Sequence, residues 1–129
     1  MNPLESIADA IQMFEGWHPG TRSYRNRNPG NLEGGEKVDA KNYDVFNTFT
    51  EGYQALLNEL GAKFSGNNRH GIGPNSTMSD LMNIYAPPSD NNPTTAYCLF
   101  ICHWASQALG STISPSTTLG EIWPVKNSS

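Results

Sequence analysis

The chain lacks the features that mark several large classes of protein. It has 8 Lys and Arg against 12 Asp and Glu, a net charge of −4, and so lacks the concentrated basic surface that binding to phosphate backbones requires. No apolar run approaches the roughly 20 residues of a membrane-spanning helix. The first residues have neither the basic flank nor the long apolar core of a signal peptide. We therefore predict no nucleic-acid partner, no membrane span, and synthesis in the cytoplasm, with delivery by another route if the protein acts outside.

Cysteine and metal-binding patterns are also scarce. Cys98 and Cys102 lie four residues apart in a strongly helical stretch, a spacing poorly suited to a strain-free disulfide, so we expect two buried free thiols. Cys102 and His103 are adjacent, and their side chains diverge too far on a helix to form a catalytic pair. Neither these residues nor His18 and His70 show a zinc-binding spacing. We predict no metal and no cofactor.

The composition of the chain indicates helices joined by long loops. Hydrophobic residues make up 36% of the 129 residues, with 12 Gly and 9 Pro, and the length fits one domain over residues 1–129. Apolar residues at helical spacing predict a first helix from about Pro3 to Phe14 or Glu15. Asn2 suits its N-cap, and Gly16 suits a left-handed residue that ends it.

Capping signals predict four later helices. Each begins with Thr or Asn followed by a residue typical of a first helical turn. The first two predicted helices run from the Thr48–Glu51 capping box through Phe64 to Gly66, and from the Thr77–Asp80 box to Tyr85 before Pro87-Pro88. The other two run from Asn92-Pro93 to Gly110, as the central core helix, and from Thr118 to Trp123. The tail from about residue 124, and over Lys126–Ser129 in particular, is predicted to fray.

The segment between the first two long helices shows no helical period. From His18 to Gly35 the chain is rich in turn-forming Pro-Gly, Asn-Pro-Gly and Gly-Gly sequences. Lys37–Phe49 has a loosely extended pattern that predicts pairing with Asn31–Glu33 in a small hairpin. The fold class that we predict is mainly α (α+β), a single domain with a small β or extended excursion after the first helix.

Glu15 is the principal candidate for a chemical role. It lies at the negative end of the helix dipole, where a charged carboxylate is not stabilised. If Phe14 and Trp17 shield it from water, desolvation acts in the same direction and keeps the group protonated near neutral pH, as a general acid requires. A solvated glutamate in a last helical turn is the alternative, and position alone does not decide between them.

Four segments of the chain, taken in order, form a recognisable pattern. They are Phe14-Glu15-Gly16, Arg25-Asn26-Arg27-Asn28-Pro29-Gly30-Asn31-Leu32, Phe46–Thr50 with Gly52 and Ala55, and Tyr85-Ala86-Pro87-Pro88-Ser89-Asp90-Asn91. Together they resemble a family of bacterial and phage lysozyme-like proteins related to lytic transglycosylases. The chain departs from the family pattern at Arg27, where the pattern has Asn, and at Asp90, where it often has Glu.

The resemblance implies a lysozyme-like fold and cleavage of peptidoglycan glycan strands between N-acetylmuramic acid and N-acetylglucosamine. It implies that Glu15 is the catalytic acid, that Asn28 and Asn31 shape the loop beside the cleft and that Tyr85 lies near Glu15. Asparagine side chains suit sugar contacts but also suit turns, and Trp17 suits either a sugar ring or the side of a cleft. The substrate-binding candidates are therefore Asn28, Asn31, Tyr85 and Trp17.

Two alternatives remain beside a single-acid lytic transglycosylase. A muramidase of the inverting kind needs a second carboxylate, for which the sequence offers Glu33, Glu36, Asp39 and Asp44 without distinguishing among them. A non-catalytic wall-binding or virion-associated module is the other alternative. Arg22, Arg25 and Arg27 form a local positive patch suited to an anionic wall polymer, and the resemblance leaves a phage particle or a secretion machinery as the means of delivery.

Overall fold

The computed structural model describes residues 2–123, and helices account for most of that part of the chain. The prediction of a mainly helical protein is therefore confirmed. The predicted fraying of the tail lies outside the described residues. The helices are α1 (Pro3–Phe14), α2 (Arg22–Arg25), α3 (Phe49–Ser65), α4 (Met78–Tyr85), α5 (Thr94–Leu109) and α6 (Leu119–Ile122), with a 3-10 turn at Pro88–Asp90 between α4 and α5.

Helix α1 has the predicted bounds and caps. The Asn2 side chain accepts a hydrogen bond from the Glu5 N–H at 2.9 Å, and the Glu5 carboxylate accepts one from the Asn2 N–H, which completes a capping box. At the other end, the Glu15 N–H still donates to the Ile11 carbonyl, and Gly16 follows with a φ of 77°. Local signals therefore place Glu15 at the exit of α1.

The predicted caps of α3, α4 and α6 are also present. Thr48 accepts from the Glu51 N–H, which is one half of the predicted box, whereas the boxes that begin at Thr77 and Thr118 form in both directions. Gly66 ends α3 in the left-handed region with a φ of 84°. The predictions of these three helices are confirmed.

The start of α5 differs from the prediction. Pro93 occupies the cap position without a side-chain hydrogen bond, and the Asn92 side chain donates instead to the Pro87 carbonyl at 3.0 Å. Asn92 thus secures the turn that precedes α5 and does not cap the helix. The predicted end at Gly110 is correct, since Gly110 has a φ of 69°.

The core lies where α1 packs against α5 and α3, and where α4 packs against α5. Ile7 and Ile11 of α1 are fully buried together with Leu56 and Leu60 of α3 and Ile101 of α5. Cys98 and Cys102 are buried free thiols, as predicted. Among residues 2–123, no helix combines the length and the apolar character needed to cross a membrane.

The loop between α1 and α3 contains structure that the sequence pattern only partly predicted. Helix α2 was not predicted, because four residues are too few to show a helical period; its cap, Thr21, accepts a hydrogen bond from the Tyr24 N–H. The predicted pairing of Lys37–Phe49 with Asn31–Glu33 is present as one isolated antiparallel bridge, Glu33 with Tyr43, and a second bridge, Val38 with Asp44, joins two residues within Lys37–Phe49. We call residues 33–44 the bridged segment.

Candidate functional site

A cleft of about 800 Å³ lies at the exit of α1. Its lining comes from the loop after α1, the bridged segment, the C-terminal end of α3 with the turn that follows it, and the C-terminal end of α4 with the 3-10 turn. Glu15, Asn31 and Tyr85 all contribute to this lining. The fold therefore brings together three of the residues that the sequence singled out.

Both oxygens of the Glu15 carboxyl group are held by hydrogen bonds. The side-chain amide of Asn31 donates to Oε1 at 2.9 Å, and the Tyr97 hydroxyl donates to Oε2 at 2.7 Å. Glu15 is half-buried. Its carboxyl group thus has a fixed orientation inside the cleft, unlike a solvated glutamate in a last helical turn.

Tyr97 is the main site residue that the sequence reasoning missed. Its side chain is only 2% exposed, and its ring stacks on Phe14 with the centroids 4.0 Å apart. Burial raises the pKa of the Tyr97 phenol well above its usual value, and the nearby Tyr85 and Glu15 add to the effect. The phenol therefore remains a neutral donor to Glu15. In the sequence, Tyr97 is one apolar residue within the predicted central core helix, although a buried tyrosine hydroxyl usually requires a partner.

Tyr85 holds the loop beside Glu15. Its hydroxyl donates to the Gly30 carbonyl at 2.5 Å. A Cβ atom at Gly30 would lie 2.6 Å from that hydroxyl and 2.7 Å from Leu56 Cδ1, so a larger residue could not occupy this position without displacing the tyrosine. Burial raises the pKa of Tyr85, and the charges of Glu15 and Glu59 raise it further.

Asn31 adopts a backbone conformation that few residues other than glycine tolerate. Its φ is 48°, in the left-handed region where asparagine is enriched among non-glycine residues. This conformation accompanies a side chain whose amide nitrogen reaches Glu15. Within the described residues, the buried Oδ1 atom of Asn31 has no hydrogen-bond partner, which leaves an acceptor next to the carboxyl group.

The structure places Asn28 and Trp17 outside the cleft lining. Asn28 is fully buried, and its side chain bonds to the backbone of Leu32 twice and of Asp44 once, each at 3.0 Å. Trp17 packs against Tyr24 and Phe49, with ring centroids 5.1 and 5.0 Å away. Asn28 therefore shapes the loop without facing a ligand, and Trp17 belongs to an aromatic cluster elsewhere. Phe14, expected to shield Glu15, stacks on Tyr97.

Of the four candidates for a second carboxylate, two lie in the lining of the cleft and two lie outside it. Glu33 and Asp44 line the cleft, and Asp44 Oδ1 accepts from the Gly35 N–H at 2.6 Å. Asp39 and Glu36 are not among the lining residues. Asp39 accepts hydrogen bonds from the Asn26 side chain and from the backbone of Lys41 and Tyr43. Two further lining acids, Glu59 and Asp90, were not proposed from the sequence.

The positive patch predicted from the sequence also lies outside the cleft. Arg22, Arg25 and Arg27 are absent from the lining, and the Arg22 guanidinium lies over the ring of Tyr43, 4.1 Å from its centroid. Arg27 has a φ of 51°, a conformation better suited to the Asn of the family pattern. The cations that line the cleft come from α3 and the turn after it, a region that the sequence did not single out.

Comparison of the chain with protein-family models, with curated proteins and with solved structures found no match.

Proposed function

We propose that the protein is a peptidoglycan lytic transglycosylase with a lysozyme-like fold, which cleaves glycan strands between N-acetylmuramic acid and N-acetylglucosamine. The observation that carries this proposal is that Glu15 lies in a cleft with both carboxyl oxygens held by hydrogen bonds. The cleft volume of about 800 Å³ is within the range of ligand sites. The resemblance of the Glu15, Asn31 and Tyr85 segments to the lysozyme-like family supports the same activity.

One carboxyl group is sufficient for the proposed reaction. Protonated Glu15 gives its proton to the glycosidic oxygen as the bond from that oxygen to the muramyl anomeric carbon breaks. The resulting carboxylate then takes the proton of the muramyl 6-hydroxyl while that oxygen attacks the anomeric carbon. The products are a 1,6-anhydromuramyl end and a free N-acetylglucosamine 4-hydroxyl. Glu15 is protonated again, and no water is consumed.

Two of the other acids in the cleft already have a partner within the protein, which favours this single-acid mechanism. Glu59 forms an ion pair with Lys63, and Asp44 accepts a backbone hydrogen bond. A muramidase of the inverting kind would need a carboxylate free to activate water about 6.5–9.5 Å from the acid. Because Glu33 and Asp44 line the same cleft as Glu15, they are the residues that would serve this second candidate function.

The first test is the clearing of purified cell-wall sacculi by the wild type and by Glu15→Gln. Glutamine preserves the size of the side chain but cannot donate an acidic proton, so we expect a loss of about 100-fold or more. Glu36→Gln is the matched control, because Glu36 is exposed and is not among the lining residues. Equal clearing by wild type and Glu15→Gln would exclude the catalytic role. Binding of the wild type to sacculi without clearing would instead favour a wall-binding module.

The second test separates the transglycosylase from the hydrolase by product mass. An anhydromuramyl product is lighter by one water than the product of hydrolysis. We expect the anhydro product, and we expect Glu33→Gln and Asp44→Asn to retain that product. A hydrated product that disappears in either variant would identify a muramidase and its second carboxylate.

A further inference from the structure

Charge is distributed unevenly around the cleft. The lining contains five acids, Glu15, Glu33, Asp44, Glu59 and Asp90, whereas the C-terminal end of α3 and the turn after it contribute Lys63, Arg69 and His70. Lys63 and Arg69 are the Lys and Arg residues of the described chain that line the cleft. An anionic group on a bound ligand would therefore be repelled by most of the charged lining and attracted only near these cations.

Arg69 is the cation available for such a group. Lys63 is only 5% exposed and is paired with Glu59 one helical turn earlier, so its charge is already balanced. Arg69 is exposed, and within residues 2–123 no carboxylate lies within ion-pair distance of it. A guanidinium with free donors is well suited to hold a carboxylate through two parallel hydrogen bonds.

The turn that carries Arg69 and His70 is held in place by the preceding residue. The Asn68 side-chain amide donates to the carbonyl groups of Ala62 and Ile72, at 3.1 and 2.7 Å. Its oxygen accepts from the N–H groups of His70 and Ile72, at 3.1 and 3.3 Å. One side chain thus fixes the backbone on both sides of Arg69, so less order has to be gained when a ligand binds.

We propose that Arg69, with His70 beside it, binds the carboxylates of the peptide stems carried by muramyl residues. This inference rests on the proposed function and names its substrate class, which is glycan strands that bear peptides, in preference to bare polymers of N-acetylhexosamine. The stem carboxylates are the negative charges of such a strand, and Arg69 is the exposed cation of the lining that can attract them.

The test compares two substrates and two arginine variants. Intact sacculi are compared with sacculi whose stem carboxylates have been converted to neutral amides with a carbodiimide and ammonia, and new chain ends are counted by mass spectrometry. We expect Arg69→Gln to lower kcat/KM on the untreated sacculi about tenfold and to leave cleavage of the amidated sacculi unchanged. Arg25→Gln is the matched control, since Arg25 is exposed on α2 and is not a lining residue; it should match the wild type on both substrates.

A binding measurement separates failure of this inference from failure of the proposed function. In the Glu15→Gln background, co-sedimentation with untreated and amidated sacculi should show that Arg69→Gln weakens binding to the untreated sacculi alone, and that added salt reduces this difference. Equal effects of Arg69→Gln on both materials, or no effect on either, would overturn the role of Arg69. Absence of cleavage by the wild type with a persistent Arg69-dependent binding difference would reject the enzyme and keep the stem-binding site.

Discussion

The Tyr97 hydroxyl donates a hydrogen bond of 2.7 Å to Glu15 Oε2, although 82 positions separate the two residues in the sequence. The contact depends on the packing of α1 against α5, because the Tyr97 ring is stacked on Phe14, the residue before Glu15. The helices that form the core therefore also orient the candidate acid.

Removal of this hydroxyl tests whether the orientation of Glu15 matters for activity. We expect Tyr97→Phe to lower kcat/KM on sacculi about tenfold or more, because a hydrogen bond to a charged or acidic group contributes on the order of 1.5–3 kcal/mol. Tyr53→Phe is the matched control. The Tyr53 hydroxyl also donates to a carboxylate, that of Asp9 at 2.8 Å, but Tyr53 does not line the cleft. Equal losses in the two variants would count against a specific role for Tyr97.

Gly52 allows α3 to approach the loop that carries Asn28 and Asn31. A Cβ atom at Gly52 would lie only 2.0 Å from the Arg27 carbonyl oxygen, so the loop backbone would have to move. We expect Gly52→Ala to lower the free energy of unfolding by about 2–3 kcal/mol and to reduce activity.

Gly61→Ala is the control for Gly52 within the same helix. The nearest atom to its added Cβ would be Leu4 Cδ1 at 3.8 Å, an ordinary contact, so better helix propensity should raise stability by about 0.5–1 kcal/mol. Urea unfolding of both variants checks the pair. A Gly52→Ala protein as stable as the wild type would contradict this account of the loop.

We expect Asn28 to contribute mainly to the stability of the fold and Asn31 mainly to activity. Asn28→Ala leaves buried backbone groups without partners, so it should lower the free energy of unfolding by about 2–4 kcal/mol. Asn31→Gly keeps the positive φ without strain and removes the bond to Glu15, so it should reduce kcat/KM while stability changes by less than about 1 kcal/mol. Unfolding and kinetic measurements on both variants test this division. A reversed pattern would require a different assignment of the two residues.

Asp39 should make stability depend on pH in the acidic range. Hydrogen bonds hold the pKa of the Asp39 carboxyl below its ordinary value of 3.8. The bond from the Asn26 side chain has the largest effect, and those from the backbone of Tyr43 and Lys41 have smaller effects. A pKa lowered by folding adds stability above the unfolded-state pKa, and that stability is lost as the pH falls through the folded-state pKa. We therefore expect stability to fall below about pH 4.

Urea unfolding between about pH 3 and about pH 6 tests this expectation. Asp39→Asn removes the titrating group and should show a smaller decline over that interval than the wild type. Glu36→Gln should retain the wild-type decline, because Glu36 has no hydrogen-bond partner in the described part of the chain. Identical pH profiles for wild type and Asp39→Asn would remove Asp39 as a source of the dependence.

The sequence predicts best those features that depend on a few neighbouring residues. The start of α1 at Asn2 and its end at Gly16 follow from capping and glycine preferences within one helical turn. The same local signals place Glu15 correctly. Helix α2 could not be predicted in the same way, because its four residues are too few to show a helical period.

Features that depend on distant residues could not be read from the chain. Tyr97 looks like any other member of an apolar helix face, and its partnership with Glu15 exists only after α5 packs on α1. Asn28 and Asn31 are the same residue type in one loop, and the loop's backbone conformation decides that only Asn31 faces the cleft. The conspicuous arginines at 22, 25 and 27 lie elsewhere, whereas the isolated Arg69 lines the cleft.

The two donors that hold Glu15 come from positions 31 and 97, far apart in the order of synthesis. A growing polypeptide that has not yet reached α5 lacks the Tyr97 hydroxyl, so its Glu15 side chain is held by one donor at most. Under the proposed function, the orientation of the acid would therefore be acquired only when the last long helix docks on the first.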